Sequence, residues 1–285
     1  MSLINPLQDG DAFVYHYTSS ETALNFIFKN NTLKFSSFLN VNDPRERKAW
    51  SIATIVRPEP RLELDQYEQL SLDASNFLKR NAKLICFSCD KPSAVGAWQP
   101  EARLDRGYAK PSMWHHYADK HNGVCLVFDR NKLGAAFEKQ LRAERLIQGK
   151  VTYSDRGILP TLPNDPFVID LTRITDQNSY LSAMKNHFNK WYKELFFQKL
   201  NDWAYEDEYR WVYFDDHITA RFVDFEDALK AVVVGDAVEE STFEKFLSPC
   251  ARHSADIARL GWRNGFPSIE QWGQPHVTHK FLLRE

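Results

Sequence analysis

Residues 124–128, Val-Cys-Leu-Val-Phe, are too apolar to lie at a surface, so they commit the chain to a sheet with this strand buried inside it. The segment before it, Ser112 to His121, reads as a short amphipathic helix. Ser112 is its natural cap, and Asn122-Gly123 stop it, with Gly123 offering a left-handed residue. His115, His116, Tyr117 and His121 ride on that helix. A buried strand with a polar aromatic helix at its mouth is a common way to build a pocket wall. It shows a wall and not a reaction.

Around this centre, short strands are scattered among irregular helices. Residues 13–18 suit a strand with Val14, His16 and Thr18 on one face, and Ser19-Ser20-Glu21 opens a helix through Lys29. Further strands are expected over 32–38, 84–88, 150–153, 206–214, 219–223, 231–234 and 277–283, and helices over 63–80, 130–145 and 179–200. Pro44 fits a first helical turn, whereas Pro249 predicts that a helix from Glu239 stops near Leu247, with a second short helix running to Leu260. Residues 57–61 read as a short break, and 90–111 and 155–175 as long loops. This irregular order argues for an α+β fold in a single domain over 1–285, not a doubly wound sheet.

Composition narrows the class of protein. A hydrophobic fraction of 43% argues against disorder, and a net charge of -2 argues against a global field for nucleic acid or an anionic membrane. No run of 18 apolar residues is present, so no membrane span is expected. The first residues lack a secretory pattern, and four cysteines do not make a disulfide framework, so a cytoplasmic, reduced protein is expected.

Chemistry concentrates in Trp203-Ala-Tyr-Glu-Asp-Glu-Tyr-Arg210. On a strand, Glu206, Glu208 and Arg210 share one face, where like charge raises the pKa of one carboxylate and Arg210 restrains the rise. Such a pair can divide labour between stabilising a cation and moving a proton. The plain alternative is a solvated ion pair worth at most about 1 kcal/mol. His16, flanked by Tyr15 and Tyr17, is either a satisfied core residue or a hydrogen-bonding group for a ligand. His115, His116 and His121 lack the i, i+4 spacing of two zinc ligands, and Cys86-x-x-Cys89 has no second pair, so no metal is expected. No glycine-rich phosphate loop occurs.

Taken in order, several landmarks resemble a bacterial family catalogued as domain of unknown function 2971. They are Tyr15-His16-Tyr17-Thr18, Phe35-Ser36-Ser37, Asn42-Asp43-Pro44-x-Glu46, Cys86-Phe-Ser88, Met113-Trp114-x-His116-Tyr117-Ala118 and Trp203-x-Tyr-Glu206-x-Glu208-Tyr-Arg210. They mark out residues 13–235, with 236–285 a C-terminal helix and strand extension. A more distant resemblance is to the ADP-ribosyltransferase layout: a first-strand His, an aromatic-Ser-Ser second strand and a late Glu-x-Glu strand.

That second resemblance implies a split β-sheet with flanking helices and NAD as the substrate. It implies catalytic roles for Glu208, Glu206 and His16. Ligand contacts are implied for His16, Tyr17, Thr18, Ser36, Ser37, His116, Tyr117 and Arg210. Glu208 would stabilise an oxocarbenium-like ribose, Glu206 would orient or deprotonate the acceptor, and Tyr117 would offer its ring to the nicotinamide. The acceptor is an unidentified macromolecule, with phage defence or a toxin system as the setting. Two other readings stay open: a non-catalytic domain sensing a nucleotide or nucleic acid, and a hydrolase or nuclease using His116, Glu206 and Glu208.

Overall fold

The computed structural model describes residues 12–55, 64–92, 100–155 and 165–272. The strand expected over 277–283 and the break at 57–61 lie outside them. In chain order the strands are β1 (Phe13–Ser19), β2 (Thr32–Ser37), β3 (Ala53–Ile55), β4 (Ala82–Cys89), β5 (Gly123–Asp129), β6 (Leu146–Lys150) and β7 (Thr152–Tyr153). They continue as β8 (Val168–Asp170), β9 (Gln198–Lys199), β10 (Glu208–Phe214), β11 (Arg221–Asp224), β12 (Leu229–Val234), β13 (Asp256–Arg263) and β14 (Phe266–Trp272). Among the described residues ten form one mixed sheet, so the fold is α+β as expected; β3 pairs with β8, and β7 with β9, outside it.

β4 organises the sheet. One edge pairs along its length with β10, from Ala82↔Phe214 to Ser88↔Glu208. The other edge is shared. β1 takes its C-terminal end (Tyr15↔Ser88, Val14↔Cys89) and β2 its N-terminal end (Ser36↔Leu84, Ser37↔Lys83). β1 stays paired with β5 from Phe13↔Asp129 to Ser19↔Gly123, so it swings away from β4 as β2 comes in. Residues 85–87 of β4 are left between the two, so this edge of the sheet splits into β1 and β2 while β4 and β10 stay paired through it.

The apolar run of β5 follows from burial on both faces. Val124, Leu126 and Phe128 enter a core with Phe35, Phe137, Trp211 and Phe246, while Cys125 and Val127 pack against Tyr17, Trp114 and Val233 on the other side. A third cluster around Phe38, Phe188, Phe196 and Phe214 joins helices Leu64–Asn81 and Gln177–Phe196 to the β4–β10 half.

Several local expectations are corrected. The helix before β5 is Pro111–Tyr117, with Lys110 at its cap position and Pro111, not Ser112, opening it. Its left-handed stop is made by Asp119, Lys120 and His121. Gly123 is needed for close approach instead, since a Cβ there would lie 2.3 Å from the Thr18 carbonyl oxygen. Helix Glu240–Arg252 runs through Pro249, because the proline falls in the last turn and extends the buried stripe of Phe243, Phe246 and Cys250. After this helix the chain forms β13 in place of the expected second helix, and β13 pairs parallel to β12 with Glu240–Arg252 as the crossover.

Candidate active site

A cleft of about 240 Å³ lies over the split. Its floor is β4 from Leu84 to Ser88, and its walls are Tyr15, His16 and Tyr17 of β1 and Lys34, Ser36 and Ser37 of β2. Met113 and Tyr117 reach it from the helix before β5, and Lys199, Glu206, Glu208 and Arg210 close one end.

His16 fills the gap in the ladder. Its Nδ1 lies 3.1 Å from the carbonyl oxygen of Cys86. A carbonyl only accepts, so Nδ1 carries the proton and donates it, leaving Nε2 as an acceptor. Burial holds the His16 pKa below the usual imidazole value, which keeps the ring neutral.

At the closed end, Arg210 holds two carboxylates. Its Nε donates to Glu208 Oε1 at 2.6 Å, and its terminal nitrogens reach Glu208 Oε2 at 3.1 Å and Glu46 at 2.6 and 3.0 Å. The remaining N–H goes to the Phe196 carbonyl at 2.7 Å, so all five donors are used. Lys199 Nζ bridges Glu206 Oε2 at 2.6 Å and Glu208 Oε2 at 2.8 Å, and Tyr117 donates to Glu206 Oε1 at 2.6 Å. Glu46, Glu206, Glu208, Lys199 and Arg210 are all buried, so the weak, solvated ion pair is set aside.

The two paired carboxylates differ. Burial alone would raise the pKa of Glu208, but Arg210 and Lys199 outweigh it and hold the carboxyl well below the ordinary range. Its oxygens take Arg210 twice, Lys199 and the Cys86 thiol, which fills its acceptor sites. Glu206 is pushed up by burial and by the charge on Glu208. Among the described residues it accepts only from Lys199 and Tyr117, leaving room for a ligand.

Backbone geometry explains how Glu206 arrives. It is not on the strand but ends the 3₁₀ turn Asn201–Glu206, and Asp207 is left-handed at φ 42°. That turn is pinned by the Lys110–Asp207 ion pair, by Cys89 N–H on the Asp207 carbonyl and by Ser88 Oγ on the Glu206 carbonyl. Glu208 and Arg210 do share a strand face as expected, opposite Ser88 and Cys86.

The structure brings His16, Tyr17, Ser36, Ser37, Tyr117, Glu206, Glu208 and Arg210 to one cleft. Two residues of the expected set stay outside its lining. Thr18 is buried opposite Val124, and His116 is exposed, its ring tilted against Tyr205. His116 therefore does not meet the carboxylates as the hydrolase reading requires. Ser37 is committed to structure, donating to the Lys79 carbonyl and capping the turn at Leu39. Lys199 is not legible in the sequence, since a two-residue strand after a long helix carries no periodic signal. Glu46 stands in the Asn-Asp-Pro-x-Glu landmark, where the sequence assigns it no role.

A model of the family described as Protein of unknown function (DUF2971) matches residues 113–211. That span holds Tyr117, Lys199, Glu206, Glu208 and Arg210, and is narrower than the 13–235 marked out by the motifs. Comparison with curated proteins and with solved structures finds no match.

Proposed function

We propose that the cleft binds the nicotinamide half of NAD and that the chain is an enzyme of ADP-ribosyltransferase type acting on a macromolecular acceptor. One observation carries this reading: His16, Ser36, Tyr117, Glu206 and Glu208 meet where β1 and β2 part over β4. At about 240 Å³, the cleft falls below the roughly 300–1,000 Å³ of sites that enclose a whole drug-sized ligand. It suits one ring and its sugar, with the remainder of the dinucleotide outside.

The chemistry follows from charge. Breaking the ribose–nicotinamide bond sends the bonding pair to the ring nitrogen, which becomes neutral, and leaves positive charge on the ribose. Glu208, held ionised by Arg210 and Lys199, is a buried carboxylate already oriented to face it. His16 Nε2 accepts from an amide N–H or a ribose hydroxyl. As the nicotinamide leaves, the acceptor attacks the ribose carbon and gives its proton to Glu206, whose spare lone pairs and raised pKa suit a base. Glu208, fully occupied, acts as the fixed charge rather than the proton carrier.

A second reading has its own support. Glu208 is so thoroughly neutralised by Arg210 and Lys199 that a nucleotide-binding domain without turnover is consistent with the site. Saturation-transfer NMR with NAD, paired with chromatography for free nicotinamide, tests both. The transferase reading expects contact at the nicotinamide ring together with release. Contact without release, with acceptor-containing extract present, supports the binding domain, and no contact overturns both.

A further inference from the structure

We propose that Lys199 is the positioning residue that keeps Glu206 ionised and so free to take a proton. The inference rests on the reading of Glu206 as the base. Lys199 comes from β9, outside the large sheet, yet its amine touches both carboxylates through one oxygen of each, at 2.6 and 2.8 Å. Its backbone is tied to β7, with Ser154 N–H on the Lys199 carbonyl at 3.0 Å, and its amine lies over the Trp203 ring. The amine is thereby fixed from three sides and is not a surface cation that happened to find a partner.

The two carboxylates would otherwise compete. Arg210 spends all five donors on Glu208, Glu46 and the Phe196 carbonyl, so none is left for Glu206. Lys199 is thus the cation that holds Glu206 ionised. Among the described residues, the other groups facing this pair are Tyr117 from the helix before β5, Tyr153 from β7, Cys86 from β4, Tyr205 from the 3₁₀ turn and Glu46 beyond Arg210. None of these brings a second positive charge. With Lys199 gone, one guanidinium faces three carboxylates, and the cheapest relief is a proton on Glu206.

The test is a carboxyl titration by infrared difference spectroscopy, with Glu206→Gln used to assign the signal. Lys199→Met should move the Glu206 midpoint up by about 1–3 pH units, the effect of losing one cation at this range. Lys199→Arg, which keeps the charge, should restore most of the wild-type midpoint. A Glu206 midpoint in folded Lys199→Met that matches wild type overturns the proposal, as does a shift that Lys199→Arg fails to reverse. If Lys199→Met does not fold, the Lys199→Arg titration decides alone: a midpoint displaced by more than about one pH unit despite the retained charge counts against the proposal. Nicotinamide release, measured in parallel, reports on the transferase reading separately. Titration can shift without release, and release can persist without a shift.

Discussion

Replacing Arg210 by Met probes the buried cluster most severely. Methionine keeps much of the stem but strips the guanidinium from Glu46 and Glu208 and leaves the Phe196 carbonyl without its donor. Arg210 is fully buried, so solvent cannot take over. Breaking a buried pair by removing one partner costs about 3–5 kcal/mol, and this loss is expected at neutral pH. The pH dependence carries a sign. In the wild type, Glu208 is depressed below its unfolded value, so its contribution is present above that value and is lost as pH falls through the folded one. In the variant, Glu208 keeps only Lys199 against burial, and Glu46, already raised by burial in the wild type, loses Arg210, so both carboxyls should move above their unfolded values. Their stability is then full at low pH and drains away as pH rises. The gap between the proteins should therefore be wide at about pH 7 and narrow towards about pH 4, near the unfolded glutamate value. Urea unfolding at several pH values, with the slope checked for constancy, measures it. A loss below about 1 kcal/mol at pH 7, the worth of an exposed pair, would refute the reasoning, as would a gap that widens in acid.

Other outcomes are expected from close packing and burial. A Cβ at Gly107 would lie 2.1 Å from a ring carbon of Tyr15, so Gly107→Ala should destabilise by about 1–3 kcal/mol in chemical denaturation. Gly134→Ala, in helix Arg130–Gln140 with its nearest neighbouring side-chain atom at 3.8 Å, should be neutral or stabilising by up to about 1 kcal/mol. Lys79 is buried against Trp50, and burial pulls its amine down to about 8 from the ordinary 10.5. Between those values the unfolded chain holds the extra proton on Lys79, so in this window the stability of the wild type should rise with pH relative to that of Lys79→Met, as read by thermal melts of the two side by side.

Much of this fold is written locally. The β5 run needs only hydrophobicity to be recognised as buried, and the landmarks at His16, Ser36, Tyr117 and Glu208 point to residues that do line one cleft. Long-range features are hidden. The split depends on where β1 leaves β4 for β5, a choice made by pairing and not by either strand's composition. Glu206 looks like a strand residue because alternation continues through Asp207, whose left-handed backbone has no cue beyond the tolerance of Asp for that region. Pro249 looks like a stop because its cost is local, whereas the buried stripe that carries the helix through it is tertiary. β13 is obscured by the same local cue, and its parallel partner β12 lies across a crossover.

The most direct measurement of the central claim is nicotinamide released from NAD by the wild-type chain and by Glu206→Gln, with acceptor-containing extract present. The variant keeps the shape and hydrogen-bonding reach of Glu206 but cannot take a proton. The wild type should release nicotinamide, and the variant should be slower by about 10²-fold or more, the usual worth of a positioned base. A wild-type chain that releases none, or a variant that releases it at the full rate, would contradict the claim.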